Sequence, residues 1–138
     1  MPETDPNTPD PPTSPTSDER VQIVSFGFLH APPPPAHLTA DLRAHFRDPH
    51  LNPALRDRTA DDPQVRDTVL RTPGILALIA ATTDAVHAFL SGPAGGPVTV
   101  AVGCAGGRHR AATVAHELGH RLGVPVSHRD LGKPVVHR

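Results

Sequence analysis

The stretch "CAGGRHR" sets Cys104 and Arg110 five residues apart, with Gly106, Gly107, Arg108 and His109 between them. Glycines allow a tight turn whose successive N–H groups face inward. An anion held there gains further from the dipole of a helix starting at about Arg110. Arg110 can grip such an anion with two parallel donors, while Arg108 and His109 add charge or donors. The ligand expected is a phosphate or sulfate group.

The same spacing is that of the C-x5-R loop of cysteine phosphatases, where a thiolate attacks phosphorus while the Arg and the loop amides hold the oxygens. Those enzymes usually carry Ser or Thr after the Arg, where this chain has Ala111. They also need an acid for the leaving group, and Asp41, Asp48 and Asp130 are candidates by type alone.

A few residues on, "AHELGHRLG" contains H-E-x-x-H. His116 and His120, one helical turn apart, could present two imidazoles to zinc with Glu117 as general base. A third ligand is needed. Where zinc proteases continue H-x-x-G-x-x-H the position is Val126, His128 comes two residues late, and no glutamate follows Glu117. Asp130, His128 and His137 stand at no recognised spacing. On a helical wheel Ala111, Val114, Ala115, Leu118 and Leu122 form one apolar stripe. His116 and His120 fall on the opposite face with Thr113 and Glu117 alongside, which reads as a solvated surface.

These residues must be positioned by a small fold. "VQIVSFGF" is rich in β-branched residues and Phe and predicts a buried strand, broken by the prolines of "HAPPPPAH". A short strand around Ala40 to Arg43 and then a loop follow, because Pro49, Pro53 and Pro63 prevent any long element. From Gln64 the apolar residues recur at helical spacing, giving two helices or one interrupted at "TPG". "VTVAVG" is apolar at almost every position, as in a parallel strand covered on both faces. A helix from about Arg110 to Leu122, stopped by Gly123 and Pro125, leads to a last strand around Val126 to His128. This alternation predicts an α/β layered domain with a mainly parallel sheet over residues 21–138.

Residues 1–20 are Pro, Thr, Ser and Asp without apolar periodicity, the composition of a disordered tail. There is no apolar leader and no membrane-length stretch, so the expected location is cytoplasmic. The single Cys104 forbids an internal disulfide and fits a reducing compartment. With 13 basic against 14 acidic residues, no positive field draws in a nucleic-acid backbone.

Several ordered segments resemble the C-terminal domain of the RNase adapter RapZ. These are "SFGF", "DLRAHFRDPH", "LRDRTADDPQVRDTVL", "VGCAGGRHRA" and "VSHRDL", spread over most of the chain after the tail. The resemblance implies an α/β module that binds glucosamine-6-phosphate, helps form oligomers and, in enterobacteria, binds small RNA. It implies that Cys104, Ala105, Gly106, Gly107, His109 and Arg110 line the phosphate end of the site. By the same resemblance His50 contributes from the preceding loop, with Asp41 and Arg43 nearby. The chain departs from the family pattern at Ala105 and Ala111, which replace a Thr and a Ser, and at Ala60, which replaces a Gly. It contains no G-x-x-x-x-G-K-[ST], so nucleoside triphosphate hydrolysis is not expected, and "GKPVVHR" has too few cations for the family's RNA-binding tail. The resulting expectation is a non-catalytic binding module for a small phosphorylated metabolite, without cofactor or metal, that can self-associate. A phosphatase using Cys104 and Arg110, and then a zinc protease using HELGH, are the alternatives.

Overall fold

The computed structural model describes residues 20–46 and 57–134. Residues 1–19 of the expected tail at 1–20 and the residues His50, Asp48 and His137 lie outside them. Four strands form a parallel sheet: β1 (Val21–Gly27), β2 (Leu38–Asp41), β3 (Val98–Cys104) and β4 (Val126–His128), in the order β2-β3-β1-β4. Three helices accompany it: α1 (Pro63–Leu70), α2 (Ile75–Leu90) and α3 (Arg110–Leu122). The architecture is the expected α/β one.

Each boundary has a local cause. Asp62 caps α1 by accepting the Gln64 N–H at 2.8 Å, and Pro63 supplies the preset φ of a first helical residue. The TPG segment separates two helices, α1 and α2, which are bent by 87°. Gly74 makes that turn with φ at 91°, and a Cβ there would stand 3.0 Å from the Phe46 ring. Gly123, with φ at 69°, ends α3. The second strand begins and ends two residues earlier than expected from the sequence. Asp41 folds its carboxylate back onto the N–H and guanidinium of Arg43, turning the chain there.

The core lies between the sheet and the helices. Val21, Ile23, Val98, Val100 and Val102 pack with Ile75, Ile79, Val86, Val114 and Leu118 in one cluster. Side chains alternating to the other face include the exposed Gln22 and Ser127, so that face is only partly covered. β3 in the centre is nonetheless buried at every residue but Thr99. Burying one such aliphatic side chain contributes about 1.5–3 kcal/mol, and α3, which touches β1, β3, β4, α1 and α2, collects much of that burial.

Candidate anion-binding site

All four strands end at the same edge of the sheet, and in register Gly27 of β1 lies opposite Cys104 of β3. From β1 the chain crosses over β3 to reach β2, and from β3 it crosses over β1 to reach β4. Open α/β sheets bind their ligands in the crevice outside the carboxyl ends of the strands.

The loop from Cys104 to Arg110 fills that position. Cys104 is 3% exposed, and its Sγ accepts the Gly107 N–H at 3.2 Å and the Ala111 N–H at 3.4 Å. The first turn of α3 has no side-chain cap, so its dipole is directed at the sulfur and the loop above it. Gly107 holds a left-handed backbone with φ at 77°. Gly27 must be a glycine for a different reason: a Cβ there would stand 2.5 Å from the carbonyl carbon of Gly106. Among the described residues no acceptor meets the N–H of Gly106 or of Arg108.

The two arginines of the loop reach outward. Arg110 donates to the carbonyls of Leu42 at 3.2 Å and Phe46 at 3.3 Å, bridging to the segment after β2. It does not fold over the glycines as a clamp on the loop would. Arg108 donates to the carbonyls of Lys133 and Asp57, both at 2.8 Å, and the ring of His109 meets the Arg58 carbonyl at 2.6 Å. Ala105 and Gly106 are half-buried between these groups.

Asp41 and Arg43 stand at the same edge, where they engage each other at 2.7 Å and stay exposed. Arg43 also covers the Phe28 ring at 3.5 Å, and Phe28 packs edge-on to Phe26. The Arg43 hydrogen bond holds the Asp41 carboxyl below its ordinary pKa. Asp130 is fully buried. Burial works to raise its pKa, but hydrogen bonds from Arg129, Lys133 and the Gly27 N–H outweigh it and bring it down to about 2. Of the three acids suggested by type, these two stand ionised at neutral pH and have no proton to give a leaving group.

The HELGH histidines lie where the helical wheel put them. His116 and His120 are exposed and line a shallow depression with Gly119, Val126 and His128. His128 joins them in the depression, on a strand that Gly119 lets approach so closely that a Cβ on Gly119 would meet Val126 Cγ2 at 2.4 Å. Among the described residues no group of three or more His, Cys, Asp and Glu side chains is placed to hold a metal ion. Glu117 pairs with Arg121 at 3.2 Å. One member of the polar face is corrected: Thr113 is fully buried, in a helix against which both α1 and α2 pack.

Two residues of this edge escape sequence reasoning as a pair: Arg129 and Asp130, just past β4. Arg129 donates to the carbonyls of Pro32 at 2.6 Å, Ala31 at 3.1 Å and Gly27 at 3.2 Å. An Arg-Asp pair directly after a final parallel strand, at the ligand edge, is the signal that was available.

The fold and loop define a parallel α/β domain with a glycine-rich turn between a buried strand and a helix. Residues 19–132 match the RapZ C-terminal domain, and the chain belongs to that family. It is 40% identical over 122 residues to a nucleotide-binding protein of Salinispora arenicola, covering 83% of this chain and 41% of that protein. A nucleotide-binding protein of Thermus thermophilus is 45% identical over 119 residues, 80% of this chain and 42% of the relative. One of Frankia casuarinae is 43% identical over 119 residues, 80% and 41%. The chain thus spans about two fifths of the length of these relatives. Among the described residues no single helix is long and apolar enough to cross a membrane.

Proposed function

We propose that this domain holds the phosphate of a small phosphorylated metabolite over the Cys104–Arg110 loop and acts by binding, without turning the ligand over. One observation carries the reading. Arg108 and Arg110 flank a turn at an uncapped helix start, and among the described residues both guanidinium groups are bonded to carbonyl oxygens and to no carboxylate. Two positive charges without counter-ions, beside the donor-only N–H groups of Gly106 and Arg108, favour a dianion. Such a ligand exchanges carbonyl partners for charged oxygens, and the charge-assisted bonds are roughly twice as strong as neutral ones.

The family resemblance makes an amino-sugar phosphate the first ligand to try, and the relatives' names make nucleotides the second. Ala105 and Ala111 remove two hydroxyls, so backbone and guanidinium donors carry the recognition. Cys104 serves as a small buried residue accepting two amides. Phosphatase chemistry is disfavoured by the ionised state of Asp41 and Asp130. Turnover of an aryl phosphate that disappears in Cys104→Ser would restore it.

The test is calorimetric titration with glucosamine-6-phosphate, inorganic phosphate, ATP and GTP, on the wild-type chain and on Arg110→Ala. Binding to one of these that weakens at least about tenfold in the variant is expected, the loss of a charge-assisted pair. Equal binding by both proteins, or none by either, sinks the reading.

A further inference from the structure

We propose that Asp130 is the positioning residue of the glycine-rich loop: its buried carboxylate fixes the β1 end and the last turn together, and so sets where Gly106 and Gly107 stand over Cys104. The inference rests on the binding reading above and extends it to a residue outside the loop.

The end of β1 and the turn after β4 meet at this carboxylate. Oδ2 accepts the Gly27 N–H at 2.7 Å and the Arg129 Nε at 3.0 Å, and Oδ1 pairs with Lys133 Nζ at 2.6 Å. Gly27 is the residue whose backbone touches Gly106, so fixing its amide fixes the floor of the loop. The Asp130 side chain touches the loop as well, since a Cβ on Gly107 would lie 3.2 Å from the Cβ of Asp130. The link closes through Arg108, which donates to the carbonyl of Lys133, three residues beyond Asp130. The contacts to Gly27 and Gly107 join segments far apart in sequence, and Asp130 is the group they share.

A buried anion under an anion site is unfavourable unless it is neutralised. Arg129 and Lys133 provide two cations for one carboxylate, leaving the cluster net positive toward the loop. The carboxylate therefore orients the loop without repelling its ligand. The Asn side chain is the informative substitute: its oxygen can still accept the Gly27 N–H, while Arg129 and Lys133 lose their counter-ion.

The experiment uses the full chain and its Asp130→Ala, Asp130→Asn and Lys133→Met variants, with Ile79→Ala, a core substitution in α2, as a control for lost stability alone. Titration with inorganic phosphate and with glucosamine-6-phosphate is paired with the rate at which Cys104 is alkylated. Asp130→Ala should weaken binding about tenfold or more and expose Cys104 to faster alkylation, because displacing binding groups by about 1 Å has effects of that size. Asp130→Asn and Lys133→Met should fall between Asp130→Ala and wild type, and Ile79→Ala should leave phosphate binding unchanged. Wild-type affinity and alkylation in the Asp130 variants, or an equal loss in Ile79→Ala, overturns the proposal while leaving the site reading intact. If the wild-type chain binds none of these phosphates, the site reading fails first, and an unchanged alkylation rate then overturns the role of Asp130 independently. Should Asp130→Ala not fold, Asp130→Asn and Lys133→Met decide the question by the same two readouts.

Discussion

Gly27→Ala tests the packing of the loop with one methyl group. Gly27 closes β1 and has no positive φ, so alanine meets no conformational penalty there. The added Cβ would instead stand 2.5 Å from the Gly106 carbonyl carbon, 2.6 Å from its oxygen and 2.9 Å from the Gly107 nitrogen. These are backbone atoms, and no rotamer change relieves them. Carbon contacts relax near 3.5–4.0 Å, so strand and loop must part by about 1 Å. Overpacking of this kind costs roughly 1–3 kcal/mol, which in a domain of this size lowers Tm by roughly 4–12 °C. The same displacement moves the N–H groups of Gly106 and Gly107 off their positions, and binding that depends on them should fall by about two orders of magnitude. Differential scanning calorimetry and phosphate titration measure the two effects. Gly106→Ala is the control, since its Cβ meets nothing within 4 Å and its stability should stay within about 0.5 kcal/mol of wild type. A Gly27→Ala protein with wild-type Tm and affinity would refute the close β1–loop contact on which the site is built.

Gly119→Ala places a Cβ 2.4 Å from Val126 Cγ2 and 2.8 Å from the Val124 carbonyl oxygen, so β4 must move away from α3. A stability loss of about 1–3 kcal/mol in denaturant titration is expected. Thr113→Val removes a buried hydroxyl that has no hydrogen-bond partner among the described residues and should leave stability unchanged or raise it by up to about 1 kcal/mol. A loss beyond that would mean the hydroxyl has a partner after all. His128 carries a pH dependence. Burial is the main cause that lowers its pKa, nearby His116 lowers it further, and Asp61 opposes both, while Nδ1 lies 2.6 Å from Ser25 Oγ. The folded state therefore prefers the neutral imidazole. Its contribution is fully present above the ordinary pKa of about 6.5 and is lost as pH falls through the lower folded value. Thermal scans between about pH 7.5 and 5 should show Tm falling more steeply in wild type than in His128→Asn.

How far the sequence carries depends on whether a residue's surroundings are local. The central strands β1 and β3 and the helix α3 were legible because their causes lie within a few residues: β-branched runs, and Gly123 closing a helix whose apolar stripe faces the sheet. Thr113 was misplaced because a helical wheel gives direction and says nothing about what arrives from elsewhere. The helices that pack against α3, α1 and α2, lie far earlier in the chain and reach it only in the fold. Asp130 was visible only as a carboxylate by type, since the amide it accepts belongs to Gly27, 103 residues earlier. Arg110 was correctly singled out by spacing, but that its partners are the carbonyls of Leu42 and Phe46 could be known only once β2 lay beside β3.

The two motifs that compete for attention are the two ends of one helix. The stripe of Ala111, Val114, Ala115 and Leu118 seats α3 on β1 and β3. That seating points the first turn at Cys104 and turns His116 and His120 outward. Any rotation of α3 that carried the histidines inward would withdraw the Ala111 N–H from the Cys104 sulfur, and with it the loop. H-E-x-x-H and C-x5-R therefore cannot both face the core in this fold. The apolar residues decide between them in favour of the loop, at the cost of exposing two imidazoles, which water solvates readily.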